Sequence, residues 1–427
     1  MATKLGSLST GTMATIPEVQ IPIDETIGGI IFDIGTRTNV FSGYSVAKNN
    51  FEGNQVLAIN NLQEAVELGI TANGILSGIP YYHIQQFYDY VGYDKKLYVM
   101  FADITNSSVN DSPIETMVSG SNCEVFYIGI WTETNIFSKS VNNIVFSNMI
   151  QNIHNQTQLI KGTSEEPTSY PSAVNVVVCG GLGAGTTNKK DINYKDLPNG
   201  TEMDFNLVSI LIGQDTSAPN LSITPNAQIG VLGIVMGCLA LRNAEVSVAC
   251  IKDFDLNKND SFSGCVLGFG TDGTNIQDIN HVQSSILTLK GYIFPTVYDE
   301  KEGGIYLSSD STMSMGDWGT ISGNSVLSRL RRVIRRALTP TINGRILFER
   351  NIERISQTSI AEITNSVKDA IDTYMTNAEG QLQVSAYSII IDEYQPNLKD
   401  DQLEIEFAFS YLESEDTINF VERYNTK

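Results

Sequence analysis

The run Ser325-Val-Leu-Ser-Arg-Leu-Arg-Arg-Val-Ile-Arg-Arg-Ala-Leu338 alternates apolar and basic residues with the period of an α-helix. Val326, Leu330, Val333, Ile334, Ala337 and Leu338 fall on one stripe, and Arg331, Arg332 and Arg335 lie away from it. A second helix is predicted over Ile352 to Tyr374, where Ile360, Ile363, Val367, Ile371 and Tyr374 recur near helical spacing, and Gly380 ends helical character. Two alternating strands follow, Leu382 to Ile391 and Leu403 to Tyr411. In the second, Leu403, Ile405, Phe407 and Phe409 alternate with polar or small residues, which predicts one buried and one exposed face. The C-terminal order is therefore helix, helix, strand, strand and a polar tail.

From Gly28 to about residue 320 the pattern is one of short buried runs alternating with helical segments. Strands are predicted at Gly29–Asp33, Leu97–Ala102, Cys123–Trp131, Asn175–Cys179, Leu207–Ile212 and Val246–Ile251; helices at Asn61–Leu68, His83–Tyr90 and Ile229–Leu241. This is the signature of an α/β fold, mixed sheets flanked by helices. The two stretches fit either one body or two similar ones. The reading divides the chain into an N-terminal arm (1–25), an outer α/β domain (26–160), a second α/β region (161–302) and a C-terminal core (303–427). In the arm, Ile16-Pro-Glu-Val-Gln-Ile-Pro-Ile23 places Val19, Ile21 and Ile23 at alternating positions. Pro17 and Pro22 each remove a ladder donor, so this would be an edge strand. It has no neighbouring strand of its own and reads as an arm that pairs elsewhere.

Composition removes several classes of function. The 427 residues carry 27 Lys and Arg against 48 Asp and Glu, a net charge of −21 that disfavours general nucleic-acid binding. Five widely spaced Cys form neither a disulfide framework nor a zinc pair, and three His (His83, His154, His281) lie far apart. The first ten residues lack the apolar core of a signal peptide. The most apolar run, Ile229 to Leu241, is too short to span a bilayer and predicts a buried helix rather than membrane insertion. A reducing cytoplasm is the expected place of synthesis.

One motif asks for a chemical reading. Phe32-Asp-Ile-Gly-Thr36, after an apolar strand, resembles the first phosphate loop of actin-like ATPases and sugar kinases, in which the Asp orients Mg²⁺. Val176 to Gly185 faintly resembles the adenosine loop of that family. Against this, Asp272-Gly-Thr274 follows no clear strand, so a second phosphate loop is missing. Thr186 stands where a dinucleotide fingerprint needs glycine, and neither a P-loop nor Gly-x-Ser-x-Gly occurs. His281 reads as structural. The expectation is a protein without catalytic residues, cofactor or metal. The strongest electrostatic feature is instead Arg329, Arg331, Arg332, Arg335, Arg336, Arg345, Arg350 and Arg354, followed by an acidic C-terminus. Such a patch is either a solvated face with partners in its own chain or a basic face made for an acidic partner.

The C-terminal third resembles the contractile tail sheath proteins of phages and related contractile injection systems. The resemblance covers residues 303–427. It runs from Gly303-Gly-Ile-Tyr-Leu-Ser-Ser-Asp-Ser-Thr-Met-Ser314 through Asp317-Trp318, the helix Leu327 to Arg336, the Ile360–Tyr374 helix, Gly380 and the two strands. Many sheaths carry a Gly-Ala-Arg-Thr-like stretch where this chain has Leu307-Ser-Ser-Asp-Ser-Thr312, which marks a divergent branch. The resemblance implies a structural subunit whose terminal arms add strands to a neighbour's sheet. It also implies self-assembly into stacked six-fold rings around an inner tube protein, with baseplate and terminator components at the ends. On this reading Val19, Ile21, Ile23, Leu403, Ile405, Phe407 and Phe409 form inter-subunit strands. Arg331, Arg332 and Arg335 would face the tube through exposed ion pairs of about 0–1 kcal/mol each.

Overall fold

The computed structural model describes residues 27–35, 55–92, 95–104, 112–135, 141–161, 173–181, 205–215, 229–258, 265–266, 281–298, 304–314, 316, 319–341, 354–376, 383–394, 402–411 and 418–425. The first part of the chain supplies β1 (Ile27–Asp33), β2 (Leu57–Ile59), α1 (Leu62–Glu67), α2 (Ile79–Val91), β3 (Leu97–Ala102), α3 (Pro113–Gly120), β4 (Val125–Asn135) and α4 (Val141–Lys161). It continues with β5 (Asn175–Gly181), β6 (Val208–Leu211), β7 (Gln214–Asp215), α5 (Leu232–Leu241), β8 (Cys265–Val266), α6 (His281–Leu289), β9 (Tyr292–Ile293), β10 (Pro295–Thr296) and β11 (Tyr306–Leu307).

Seven of these strands make one sheet in the order β2-β3-β1-β4-β5-β6-β9. All its pairings are parallel except the antiparallel edge pair β2–β3. A parallel strand covered by helices on both faces has no wet side, and β1 and β3 are buried at every position. β4 and β5 pair directly, so the stretches on either side of residue 160 form a single body rather than two domains. Residues 304–314 join that body as well: Ile305, Leu307 and Met313 sit in its core, and β11 pairs with β10.

Glycines set the spacing between the layers. A Cβ on Gly129 would lie 2.9 Å from the Met236 sulfur, and one on Gly233 would lie 2.2 Å from the His83 carbonyl oxygen. α5 is therefore wedged between the sheet and α2, which explains why the 229–241 run is apolar all round. On the opposite face, Gly29 makes room for Met117 of α3.

The C-terminal unit consists of α7 (Ile321–Leu338), α8 (Gln357–Tyr374), β12 (Val384–Ile390), β13 (Gln402–Tyr411) and β14 (Ile418–Asn425). The Thr320 hydroxyl caps α7 by accepting from Gly323 N at 3.1 Å, and the Ser356 hydroxyl caps α8 through Ser359 N at 3.2 Å. Val326, Leu330, Val333 and Ile334 of α7 meet Ile363, Val367 and Ile371 of α8 over Val384, Ile405, Phe407 and Phe409. This second core is distinct from that of the body.

Two expectations are corrected. Val246–Ile251 is not a strand but a series of reverse turns, with Val246 N donating to Asn243 O and Cys250 N to Ser247 O. The alternation of Val and small residues there fits a strand, but the Arg242 guanidinium holds Val246 O at 2.7 Å and folds the segment back. The polar tail contains a strand, β14, which pairs antiparallel with β13 from Gln402↔Asn425 to Phe409↔Ile418. The arm at 1–25, with Val19, Ile21 and Ile23, lies outside the described residues, as do Gly303, Asp317, Trp318, Arg345, Arg350 and Gly380.

Candidate functional site

α7 is buried on two sides. Its apolar stripe faces the C-terminal core, and a second stripe at helical spacing (Ser325, Ser328, Arg331, Arg332 and Arg335) faces the body. The second stripe is polar, and its partners are mostly main-chain carbonyls and hydroxyls. Ser328 Oγ donates to Ala173 O at 3.0 Å. Arg331 Nη1 donates at 3.2 Å to the carbonyl of Lys161, the last residue of α4, where a cation also meets the negative end of the helix dipole. Arg332 Nη2 donates to Val125 O at 2.9 Å, and its guanidinium lies 3.8 Å from the Phe126 ring centroid. Burial pulls the Arg332 guanidinium down to about 9, while the neighbouring Cys123, Tyr127 and Glu124 act in the opposite direction.

Ser325 is the hub nearer the helix start. It donates to Ile321 O at 2.6 Å and accepts from Arg242 Nη2 at 2.6 Å and Asn175 Nδ2 at 3.3 Å. The Tyr127 hydroxyl lies 3.1 Å from Ser325 Oγ and 2.9 Å from Arg242 Nη2. Asp310 accepts from Ser322 N at 3.0 Å; burial raises its carboxyl, and Arg242 and the Ser322 donors pull it back. Glu124, in the turn before β4, is also subject to burial that raises it, but bonds from Lys96 (2.8 Å) and Tyr98 (2.6 Å) and the Lys96 and Arg332 charges hold it below the usual carboxylate range. Ser325→Ala removes the hub while leaving Arg242, Asn175 and Tyr127 in place. The expected loss is about 1–3 kcal/mol in chemical denaturation, with Tyr127→Phe costing less because Arg242 keeps its bond to Ser325.

The exposure that the sequence reading gave the arginines is corrected here. Arg331, Arg332 and Arg335 are 1%, 3% and 8% exposed, so they cannot present ion pairs to a tube from this subunit. Helical periodicity separates apolar from polar positions but does not separate water from a groove lined with carbonyls. Among the described arginines of the cluster Arg336 is the exposed one, and its guanidinium lies 5.6 Å from the Tyr374 ring centroid. Arg354 pairs with Glu393 and lies over Tyr394.

The strand assignment is also revised. Ile405, Phe407 and Phe409 are buried in the C-terminal core, and Leu403 stands opposite Tyr424 in β14. β13 lies between β12 and β14 and is central in its own subunit, so it has no free edge to lend. The outer strands of this sheet are β12 and β14.

Asp33 serves the fold. Its Oδ1 accepts from Gly35 N and Ile104 N, both at 3.0 Å, and its Oδ2 accepts from Thr132 Oγ1 at 2.6 Å. One carboxylate thus ties together the ends of β1, β3 and β4. Thr36, the glycines beyond Gly181 and Asp272–Thr274 lie outside the described residues. Among the described residues no group of three or more His, Cys, Asp or Glu is placed to hold a metal, and no helix is long and apolar enough to cross a membrane.

No protein-family model matches the chain, and no curated protein matches it. Among solved structures, the chain is similar to the crystal structure of the sheath tail protein Lin1278 from Listeria innocua. The match covers 98% of this chain and 99% of that one, with a TM-score of 0.52 and 9% sequence identity. The likeness is one of fold: a mixed α/β architecture similar to that of the sheath tail protein, matched over nearly the whole length of both chains.

Proposed function

We propose that this chain is the structural subunit of a contractile tail sheath, polymerising as stacked six-fold rings around an inner tube and contracting to drive the tube through a target envelope. The observation that carries this reading is the fold likeness to a sheath tail protein along nearly the whole length of both chains. The C-terminal order of two helices followed by the strands β12, β13 and β14 supports it. Subunits link by strand addition: the arm at 16–23, with Val19, Ile21 and Ile23, pairs with an outer strand of a neighbour's C-terminal sheet. Main-chain bonds hold that link, and alternating side chains set its register. The outer strands open to such an arm are β12 and β14. The extended sleeve is a metastable state, and contraction draws on newly buried interface rather than on nucleotide hydrolysis. The protein is a non-enzymatic component, made in the bacterial host cytoplasm and assembled into a phage tail or injection particle with the tube, baseplate and terminator proteins.

Electron microscopy of the purified chain without nucleotide tests this. Striated tubes or stacked six-fold rings, alone or on addition of the inner tube, are the expected result. Monomers that stay dispersed with the tube present, or assembly that requires Mg-ATP, overturn it. A Val19→Asp, Ile21→Asp, Ile23→Asp triple variant should keep the subunit's thermal unfolding midpoint within about 2 °C, because on this reading those side chains serve the link to a neighbour, and should form no polymer.

A further inference from the structure

His83 sits in α2 with its ring fully buried and both nitrogens bound to the entrance of α5. Nε2 lies 2.8 Å from Ile229 O, and Nδ1 accepts from Gly233 N at 3.1 Å. This pattern requires the neutral Nε2–H tautomer. The same segment is held from other directions: Trp131 Nε1 donates to Ile229 O at 2.9 Å, and the Gln214 side-chain oxygen accepts from Ile229 N and Gly230 N, each at 2.9 Å.

A second proton has nowhere favourable to go. On Nδ1 it would point at the Gly233 N–H, in the first turn of α5, where the helix dipole is positive. The groups around the imidazole are Phe32 of β1, stacked at 6.1 Å, and Tyr82 of α2 at 5.5 Å. Tyr82 is a phenol, and the thiol of Cys179 of β5, bound to the Val231 and Leu232 backbone at the same α5 entrance, is pushed up to about 12 by burial and stays neutral. Asp33, next to Phe32 in sequence, is turned to its own donors at Gly35, Ile104 and Thr132. Backbone groups hold both ring nitrogens.

We propose that His83 is an acid-sensitive pin on the α5 entrance, and that its protonation releases residues 229–233 from α2 while the sheet and the C-terminal unit remain folded. Burial lowers the imidazole from 6.5 to about 4, and the bond to Ile229 O only partly offsets this. Because the folded-state value is depressed, the pinned form binds fewer protons than the released form between pH 6.5 and 4. The pin is at full strength above 6.5 and weakens as pH falls through that window, by up to tenfold in the closing equilibrium per pH unit.

Trp131 is a built-in reporter because it shares the Ile229 acceptor. The chain has two tryptophans, Trp131 and Trp318, so Trp318→Phe leaves Trp131 alone. Its emission and the hydrogen-exchange protection factors of residues 229–241 would be followed from pH 7.5 to 4 in the full chain. The expected result is a red shift together with at least a tenfold loss of protection at 229–233, before far-UV circular dichroism changes. His83→Gln, which can still donate to Ile229 O but does not titrate, should abolish the early transition. The same early transition in His83→Gln, or a Trp131 transition coincident with global unfolding, overturns the proposal. Should that variant fail to fold, the His83 ring titration followed by NMR in the unsubstituted chain decides: a midpoint near 6.5 overturns the pin, and one below 5 supports it.

Discussion

Gly233→Ala should leave little folded protein under conditions in which the unsubstituted chain is stable. The added methyl would stand 2.2 Å from the His83 carbonyl oxygen and 2.8 Å from its carbonyl carbon and Cα. Those are backbone atoms in the middle of α2, so no side-chain rotation relieves the contact. One helix must shift by about 1 Å, and α5 has no slack on its other side, where Met236 already sits against the space left by Gly28 and Gly129. Overpacking typically costs about 1–3 kcal/mol and more where, as here, the clash is with backbone, a large part of the roughly 5–15 kcal/mol that holds a typical domain together. Gly92→Ala is the matched control. Its φ of +84° and ψ of −171° form a backbone conformation that glycine almost alone adopts, but a methyl there meets nothing within 4 Å, so the cost is backbone strain alone, about 1–3 kcal/mol. Urea midpoints for the two variants should separate them clearly; equal midpoints would mean that α2 and α5 do not approach this closely.

Arg332→Glu should abolish soluble, folded subunit, whereas Arg332→Met should fold with a loss of about 1–3 kcal/mol. The guanidinium occupies a slot between Phe126 and the carbonyls of Glu124 and Val125. A carboxylate in that slot would oppose two carbonyl oxygens and the negative face of the ring, with Glu124 itself nearby, and would have no water to screen it. Methionine keeps the volume and the contact with Phe126 and gives up only the polar bonds. The comparison also separates two roles for the helix. A residue that touched only a tube would tolerate both changes in the free subunit and fail during assembly; a seam residue fails earlier, in thermal unfolding of the subunit alone. The geometry predicts the second outcome.

Much of the fold is legible in the sequence where one signal dominates. β3 was read at its full extent, Leu97–Ala102, because a buried parallel strand is a continuous apolar run. α7 and α8 stand out through their stripes. Elements without a stripe are harder to read: α4 spans Val141–Lys161 but is rich in Asn and Gln, and β14 mixes Asn, Glu and Arg with its apolar residues. β14 owes its place to pairing with β13, and α4 to packing against the elements on either side of it, and neither partnership leaves a periodic stripe in the element's own sequence. The site was half legible. The arginine concentration marked α7 as unusual, but the partners of Arg331 and Arg332 are carbonyls at positions 161, 124 and 125, and a main-chain oxygen leaves no trace in residue identity. A usable clue is present in Ser325 and Ser328, small hydroxyl residues in register with the arginines on a helix whose opposite stripe is built from Leu, Val and Ile.

The double burial of α7 has a mechanical consequence. A load taken up by the small C-terminal sheet has a short path to the large one: through the apolar side chains of α7, along a stiff helix of 18 residues, and into β4, β5 and the end of α4 through hydrogen bonds at Tyr127, Asn175, Val125 and Lys161. Those bonds act together rather than one after another, so a pull along the helix must strain all of them before any gives way. The seam behaves as a transmission shaft keyed into both parts, and compliance in such a subunit belongs to the segments outside it.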